Sequence, residues 1–372
     1  MAKAIVKYKG SIVNGFILLF SISLCLVFSE LVFHHILFGT DPHWSWLRKP
    51  DLYTGSDKNS DYWKLYYLFG GEYKPPVVTD PLLGWVGDFE HKSYKHHKAA
   101  EAGSKRPVLL YGDSYAHCQD ALCFESILNA DSQFSKKDYL INYGVPGYGV
   151  DQIAILFHHT YQQYQNPFVV FSIFTLDMDR SVLNNRIGQK PYYTLSADSL
   201  VLNGVPIDSD PGRFYQDHPP HIASYLWRKL IYTETPILPA FLTSHLRKNE
   251  IDTGYKIKLN EKILQGVFDE LQRNKTDYVF VVFHYLDAGI REYKIENENW
   301  RDRFLKDFVS KNNIPTVWSK DVIKKDMADH GYTIDRYIDK KNHHPTTYLN
   351  ELIAAEIKKR VLIEKTDVGL YE

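Results

Sequence analysis

Cysteine is almost missing from this sequence, with three in 372 residues. Cys25 falls in an apolar run, which leaves Cys118 and Cys123 as the only pair beyond it. The paired histidines His96-His97, His158-His159 and His343-His344 therefore lack the thiolates or convergent acids of a zinc site, and no metal or cofactor is expected. Net charge is missing too. Lys and Arg total 44 against 45 Asp and Glu, a net charge of −1, which leaves no electrostatic footprint for nucleic acid. No period repeats along the chain, and no stretch has the composition of disorder. Long hydrophobic runs are limited to one, at the N-terminus.

That run is the first positive signal. No charged residue occurs from Ile12 to Ser29, and mostly apolar residues resume after Glu30 as far as Phe38. This length spans the ~30 Å of a hydrocarbon core. Lys3, Lys7 and Lys9 precede it, so the positive-inside rule places the N-terminus in the cytoplasm and the rest of the chain on the periplasmic or extracellular side. A cleaved signal peptide is the competing reading. The run is longer than an ordinary signal core and no small-x-small cleavage site follows it, so an uncleaved single-pass anchor over 1–39 is expected. Glu30 is expected to snorkel to the interface. An oxidising compartment permits a Cys118–Cys123 disulfide, but five residues of separation on one helix would part the thiols. A bridge needs a turn there, and two buried free thiols remain the alternative.

Residues 40–105 read as a juxtamembrane and connecting segment, its later part polar, basic and on the surface, with His96-His97 solvated. From Pro107 the pattern alternates. Short β-rich runs at 108–112, 139–144, 168–174, 278–284 and 315–318 are each followed by helical spacing, as in "QIAILFHHTYQQY" and "EKILQGVFDELQRN". Continuous apolar strands separated by helices predict an α/β three-layer sandwich with a central parallel sheet of about five strands, over 106–364. An insertion at about 180–239 contains a hairpin pattern, "PYYTLSADSLVLNGVPI", and 365–372 is a tail.

The chemistry gathers at "VLLYGDSYAHC". Ligands bind beyond the carboxyl ends of the strands in an open parallel sheet. Ser114 stands there, one step past the first strand, where a starting helix directs backbone N–H groups outward. Taken alone, Ser114 reads as a helix cap. A nucleophilic serine needs a base, and "NHHPTTYLNELIAAEI" offers one, with Pro345 stiffening the loop before a helix.

With those residues in view, the sequence resembles the SGNH (GDSL-like) hydrolase superfamily of flavodoxin-like fold, in particular its membrane-anchored cell-envelope members. "GDS" resembles the first block, "INYGVPGYGVDQ" the second and "HHPTTYLNELIAAEI" the last. The resemblance implies Ser114 as nucleophile, His344 as base and an oxyanion-hole N–H from Gly147, with Asp113 bracing the nucleophile loop. Two positions depart from the family pattern. Where the third block carries an oxyanion-binding asparagine, "FSIFTLDMDRS" offers Asp177, or else Asp179. Asn142 and Asn184 are candidate substitutes. The triad acid three residues before the base is replaced by Lys341, which leaves Asp339 as the candidate, with a small loop rearrangement, or a Ser-His dyad. His343 reads as a solvated neighbour, His284 as a satisfied strand-end residue, and His158-His159 as helix packing. The function implied is a serine esterase or O-acyltransferase acting on acyl, chiefly acetyl, esters of cell-envelope carbohydrate. The alternative is a weakened or inactive relative that binds or assembles glycan. The expected partners are an acylated carbohydrate and, through the helix, a membrane.

Overall fold

Five runs of β-branched and aromatic residues form the parallel strands β1 (Arg106–Gly112), β2 (Asp138–Gly144), β3 (Phe168–Phe174), β4 (Asp277–Phe283) and β5 (Thr316–Trp318). Their order in the sheet is β2-β1-β3-β4-β5, every neighbour parallel, as the alternating pattern predicts. The computed structural model describes residues 2–70, 79–119, 121–232 and 251–367. The side chains of Lys3, Lys7 and Lys9, the 233–239 end of the expected insertion and residues 368–372 of the expected tail lie outside these.

The period of two sorts side chains onto two buried faces. Leu109, Tyr111, Ile141, Val169, Phe171, Phe280 and Val282 meet the helices Val150–Thr160, Thr253–Arg273 and Trp300–Lys311 on one side. Val108, Leu110, Leu140, Val170, Val279 and Val281 meet the helices Phe124–Ala130, Ser319–His330 and Thr347–Asp367 on the other. All seven residues of β3 are buried, so the central strand shows no polar alternation. The sheet reverses direction of growth between β1 and β3, which is where a doubly wound sheet opens a crevice at its carboxyl edge.

The chain divides into two units, Met1–Tyr73 with Gly212–Glu250, and Lys74–Pro211 with Ile251–Glu372. The sheet-bearing unit thus begins well before residue 106. Leu83, Trp85, Val86 and Phe89, embedded in a polar and basic stretch, are buried in the core, and the Trp85 indole N–H donates to the Pro146 carbonyl at 3.0 Å. His96 is likewise buried rather than solvated, its Nε2 3.0 Å from the Asn142 carbonyl, while His97 is exposed. The expected insertion is shared between the units. Its hairpin, Tyr192–Ser196 with Ser199–Asn203, packs Tyr193, Leu195, Leu200 and Leu202 against the core of the second unit. Its helix Tyr225–Tyr232 belongs to the first.

The first unit contains the helix Ala2–Phe38, of which Val13–Phe38 is long and apolar enough to cross a membrane. Its C-terminal end packs with Leu47, Tyr53, Leu65 and Tyr225 in a small separate core.

Candidate active site

β1 ends at Gly112, where an added Cβ would lie 2.6 Å from the Ala116 Cβ and 2.9 Å from the Ser172 Cβ. Glycine is required there because the following turn folds back against the strand ends. Asp113 then caps the single helical turn Ser114–His117, its Oδ1 accepting the Tyr115 N–H at 2.8 Å. Cys118, at φ 64°, ends the turn, and its disulfide to Cys123 closes the segment across a Cα–Cα distance of 5.2 Å. The turn that a bridge requires is present, and the open choice between bridge and free thiols resolves to the bridge. Asn142, a candidate oxyanion donor, is spent on this segment instead. Its Nδ2 donates to the Ala116 carbonyl at 2.8 Å, and its Oδ1 accepts the Gly144 N–H at 2.8 Å.

Ser114 and His344 are 230 residues apart in sequence, yet the Oγ lies 2.9 Å from His344 Nε2. The other ring nitrogen, Nδ1, is 2.7 Å from the Asn342 carbonyl oxygen. A carbonyl only accepts, so Nδ1 carries the proton and Nε2 presents its lone pair to the serine hydroxyl. The loop is held locally. Asn342 Oδ1 accepts the His344 N–H at 2.9 Å, and the Asp339 N–H donates to the His344 carbonyl at 2.9 Å. Tyr115 stacks on Phe174 at 4.0 Å and donates its hydroxyl to the His343 carbonyl at 2.5 Å, joining the serine turn to the histidine loop.

Asp339 is not brought to His344 Nδ1. Its carboxylate accepts the Lys341 N–H at 2.7 Å and the Asn342 N–H at 3.3 Å, and these two backbone donors hold its pKa below the usual carboxylate value. It shapes the turn that carries the base, and the Nδ1 partner is a peptide carbonyl.

Asp177 also departs from the expected place. It is completely buried, with Oδ2 accepting the Phe174 N–H at 3.0 Å and Oδ1 accepting Arg180 Nη1 at 2.6 Å. Arg180 Nη1 also donates to Asp113 Oδ2 at 2.7 Å and to the Tyr148 carbonyl at 3.2 Å. One guanidinium thus lies between two buried carboxylates, and Asp113 Oδ2 is 3.3 Å from Ser114 Oγ. Burial and then the Asp113 charge push the Asp177 carboxyl well above its ordinary value, while Arg180 pulls it down. Arg180 side-chain exposure is 13%, so the side chain is not fully buried. Asp179, the alternative third-block acid, is engaged elsewhere, paired with Lys256 Nζ at 2.7 Å and Arg301 Nε at 2.7 Å. Arg180 is the residue sequence reasoning missed; its i+3 spacing from Asp177 on one helical turn was the available signal.

Gly147, at φ 87°, lies in the loop after β2, which the Val145 N–H ties to the Gly112 carbonyl at 3.0 Å. A Cβ there would come 2.5 Å from Ile187 Cδ1. Its carbonyl accepts Arg186 Nη1 at 2.5 Å. Asn184 is half-buried, and its carbonyl accepts the Lys190 N–H at 3.1 Å. His284 is buried and packed, 2.9 Å from Ser319 Oγ and 3.4 Å from Asp302, and desolvation pushes it well below its ordinary pKa. His158 bonds to Glu270, and His159 Nδ1 lies 2.9 Å from the Ile155 carbonyl. His343 lines a cavity of about 270 Å³ with Leu286, Ile338, Asp287, Asp335 and Lys340.

No family model matches the chain, and no curated protein does. Among solved structures it is similar to an acetylxylan esterase from Geobacillus stearothermophilus, at 12% identity and a TM-score of 0.39, over 70% of this chain and 95% of that one. It is similar also to a member of the lipolytic protein G-D-S-L family from Veillonella parvula, at 12% identity and a TM-score of 0.38, over 68% and 97% of the two chains.

Proposed function

We propose that this chain is an SGNH-type serine esterase or O-acyltransferase, anchored by its N-terminal helix, that acts on acyl esters of cell-envelope carbohydrate. The observation that carries the reading is the 2.9 Å contact between Ser114 Oγ and His344 Nε2 at the carboxyl edge of the sheet, with the tautomer set by the Asn342 carbonyl. Ser114 Oγ attacks the acyl carbonyl and its proton passes to Nε2. The alcohol leaves with that proton, and water or a sugar hydroxyl then attacks the acyl-serine, giving hydrolysis or transfer. The first-turn amide of Ser114 and the amide of Gly147 would hold the oxyanion. Arg180, held between Asp113 and Asp177, braces the nucleophile turn through Asp113, whose Oδ2 is 3.3 Å from Ser114 Oγ.

The Asn342 carbonyl orients the imidazole but brings no full negative charge to the imidazolium that forms. Turnover is therefore expected below that of a complete triad. The rim of the cavity beside His343, with Asp287, Asp335 and Lys340, suits hydrogen bonding to hydroxyl groups. A tether raises the local concentration of a surface polymer, which supports an envelope substrate.

The test is fluorophosphonate labelling together with turnover of p-nitrophenyl acetate by the full-length protein. Labelling is expected to vanish in Ser114→Ala and to fall at least 1000-fold in rate in His344→Ala, given what a triad member is worth. Folded wild-type protein that neither labels nor turns over would leave glycan binding as the function.

A further inference from the structure

The helix Ala2–Phe38 is bare over one part and clothed over the rest. Every residue from Val13 to Ser29 is exposed, and exposure continues through Leu31 and Val32. Beyond that point Phe33, Ile36, Leu37 and Phe38 pack against Leu47, Tyr53, Leu65 and Tyr225. The bare stretch from 13 to 32 rises about 30 Å at 1.5 Å per residue, the thickness of a bilayer's hydrocarbon core. Protein covers the helix where hydrocarbon would end.

Glu30 sits at that border, and it does not reach for solvent. Its carboxylate accepts the Tyr225 N–H at 2.7 Å, the Ser224 hydroxyl at 2.7 Å and the Leu226 N–H at 3.2 Å. An acid in an apolar span is costly unless paired, and here it satisfies the first amides of helix Tyr225–Tyr232 at the positive end of that helix. The start of this helix is therefore fixed at the level of Glu30. Trp227, one residue beyond these contacts, is 45% exposed. Trp46 is 52% exposed, with Lys229 Nζ 5.2 Å over its ring. Arg48 Nε donates to the Leu37 carbonyl at 3.0 Å, closing the C-terminal end of the span. Tryptophans and cations gathered beside the end of a spanning helix are the pattern of a membrane boundary.

We infer that helix Tyr225–Tyr232 lies in the lipid headgroup layer at the C-terminal end of the span, with Trp227 and Trp46 against lipid and Glu30 as its mooring. The inference rests on reading Ala2–Phe38 as a membrane helix. It gives that part of the insertion a function of its own, a lipid-contacting foot recruited from 195 residues downstream of Glu30.

The experiment uses full-length protein with Cys25→Ser, reconstituted in phosphatidylcholine vesicles. Single nitroxide labels at Phe20→Cys, Trp227→Cys and Val201→Cys are read by their accessibility to oxygen, which partitions into lipid, and to a water-soluble nickel chelate. Position 20 is expected deep in lipid, 227 at the interface, and 201, an exposed position of the hairpin, in water. Glu30→Ala is expected to move the 227 label toward water, and Ser224→Ala, which spares two of the three hydrogen bonds, to move it less. A deep label at 20 with a 227 label as chelate-accessible as 201 overturns the foot and spares the anchor. A 227 label shielded from both reagents means protein packing and also overturns it. A 20 label in water removes the anchor and the foot together.

Discussion

The two halves of the candidate site are held by different physics. At the ends of β1 and β3, Ser114 sits on a closed ionic network: Asp113 and Asp177 are completely buried and share Arg180. The His344 loop is exposed over Asp339–Lys341 and half-buried from Asn342 to His344, and short-range bonds among Asp339, Lys341, Asn342 and His344 hold it together with the Tyr115 hydroxyl. One half derives rigidity from the sheet, and the other from a turn. The difference teaches that the serine side tolerates little change, whereas the histidine side has room for improvement.

Removing the shared cation is expected to have the largest effect. Arg180→Met leaves two buried carboxylates without their shared counter-charge, and breaking a buried pair in this way costs about 3–5 kcal/mol. Urea unfolding should report that loss, with labelling of Ser114 falling in the protein that remains folded. A stability loss under 1 kcal/mol would mean that the network is not what fixes the serine turn.

Asp177→Asn comes next. An amide cannot accept from both the Phe174 N–H and Arg180, so turnover is expected to fall about ten-fold or more as Arg180 shifts; had Asp177 faced the oxyanion, the amide would have raised it. The pH dependence has a definite sign. Because the folded pKa of Asp177 is raised, its contribution to stability is full below the unfolded pKa and is lost as pH rises through the folded one. Wild type relative to Asp177→Asn should therefore be most stable in acid and lose that margin with rising pH, read as the difference in Tm.

On the histidine side Lys341→Asp places a carboxylate three residues before the base. Turnover is expected to rise several-fold, and the acid limb of the pH-rate profile to move upward as the imidazolium gains an anionic neighbour. The smallest effect belongs to Asp339→Ala. The side chain only caps two exposed amides, so a loss within about five-fold is expected, since a cap is typically worth about 1 kcal/mol. A thousand-fold loss would mark Asp339 as the orienting acid and break the contrast.

The strands were legible because both sheet faces are covered, so each reads as an unbroken apolar run with a turn residue after it. Ser114 and His344 were legible through the chemistry each requires. The rest rests on partners that no local pattern announces. Asn342 acts through a backbone carbonyl, an atom every residue has. Arg180 has meaning only once Asp113 and Asp177 are adjacent. Trp85 and Phe89 are core residues in a segment whose average composition is that of a surface. Glu30 looked like a snorkelling acid because its partners, Ser224 to Leu226, lie far along the chain.

The span of 230 residues between Ser114 and His344 also sets an order of events during synthesis. A chain that has left the ribosome as far as Gly331 contains β1 to β5 and Ser114 but not His344. The helix Thr347–Asp367, whose Leu349, Ile353, Ile357 and Val361 pack on one face of the sheet, follows His344. Under the proposed mechanism, Ser114 is thus without its base until this helix has been made and docked.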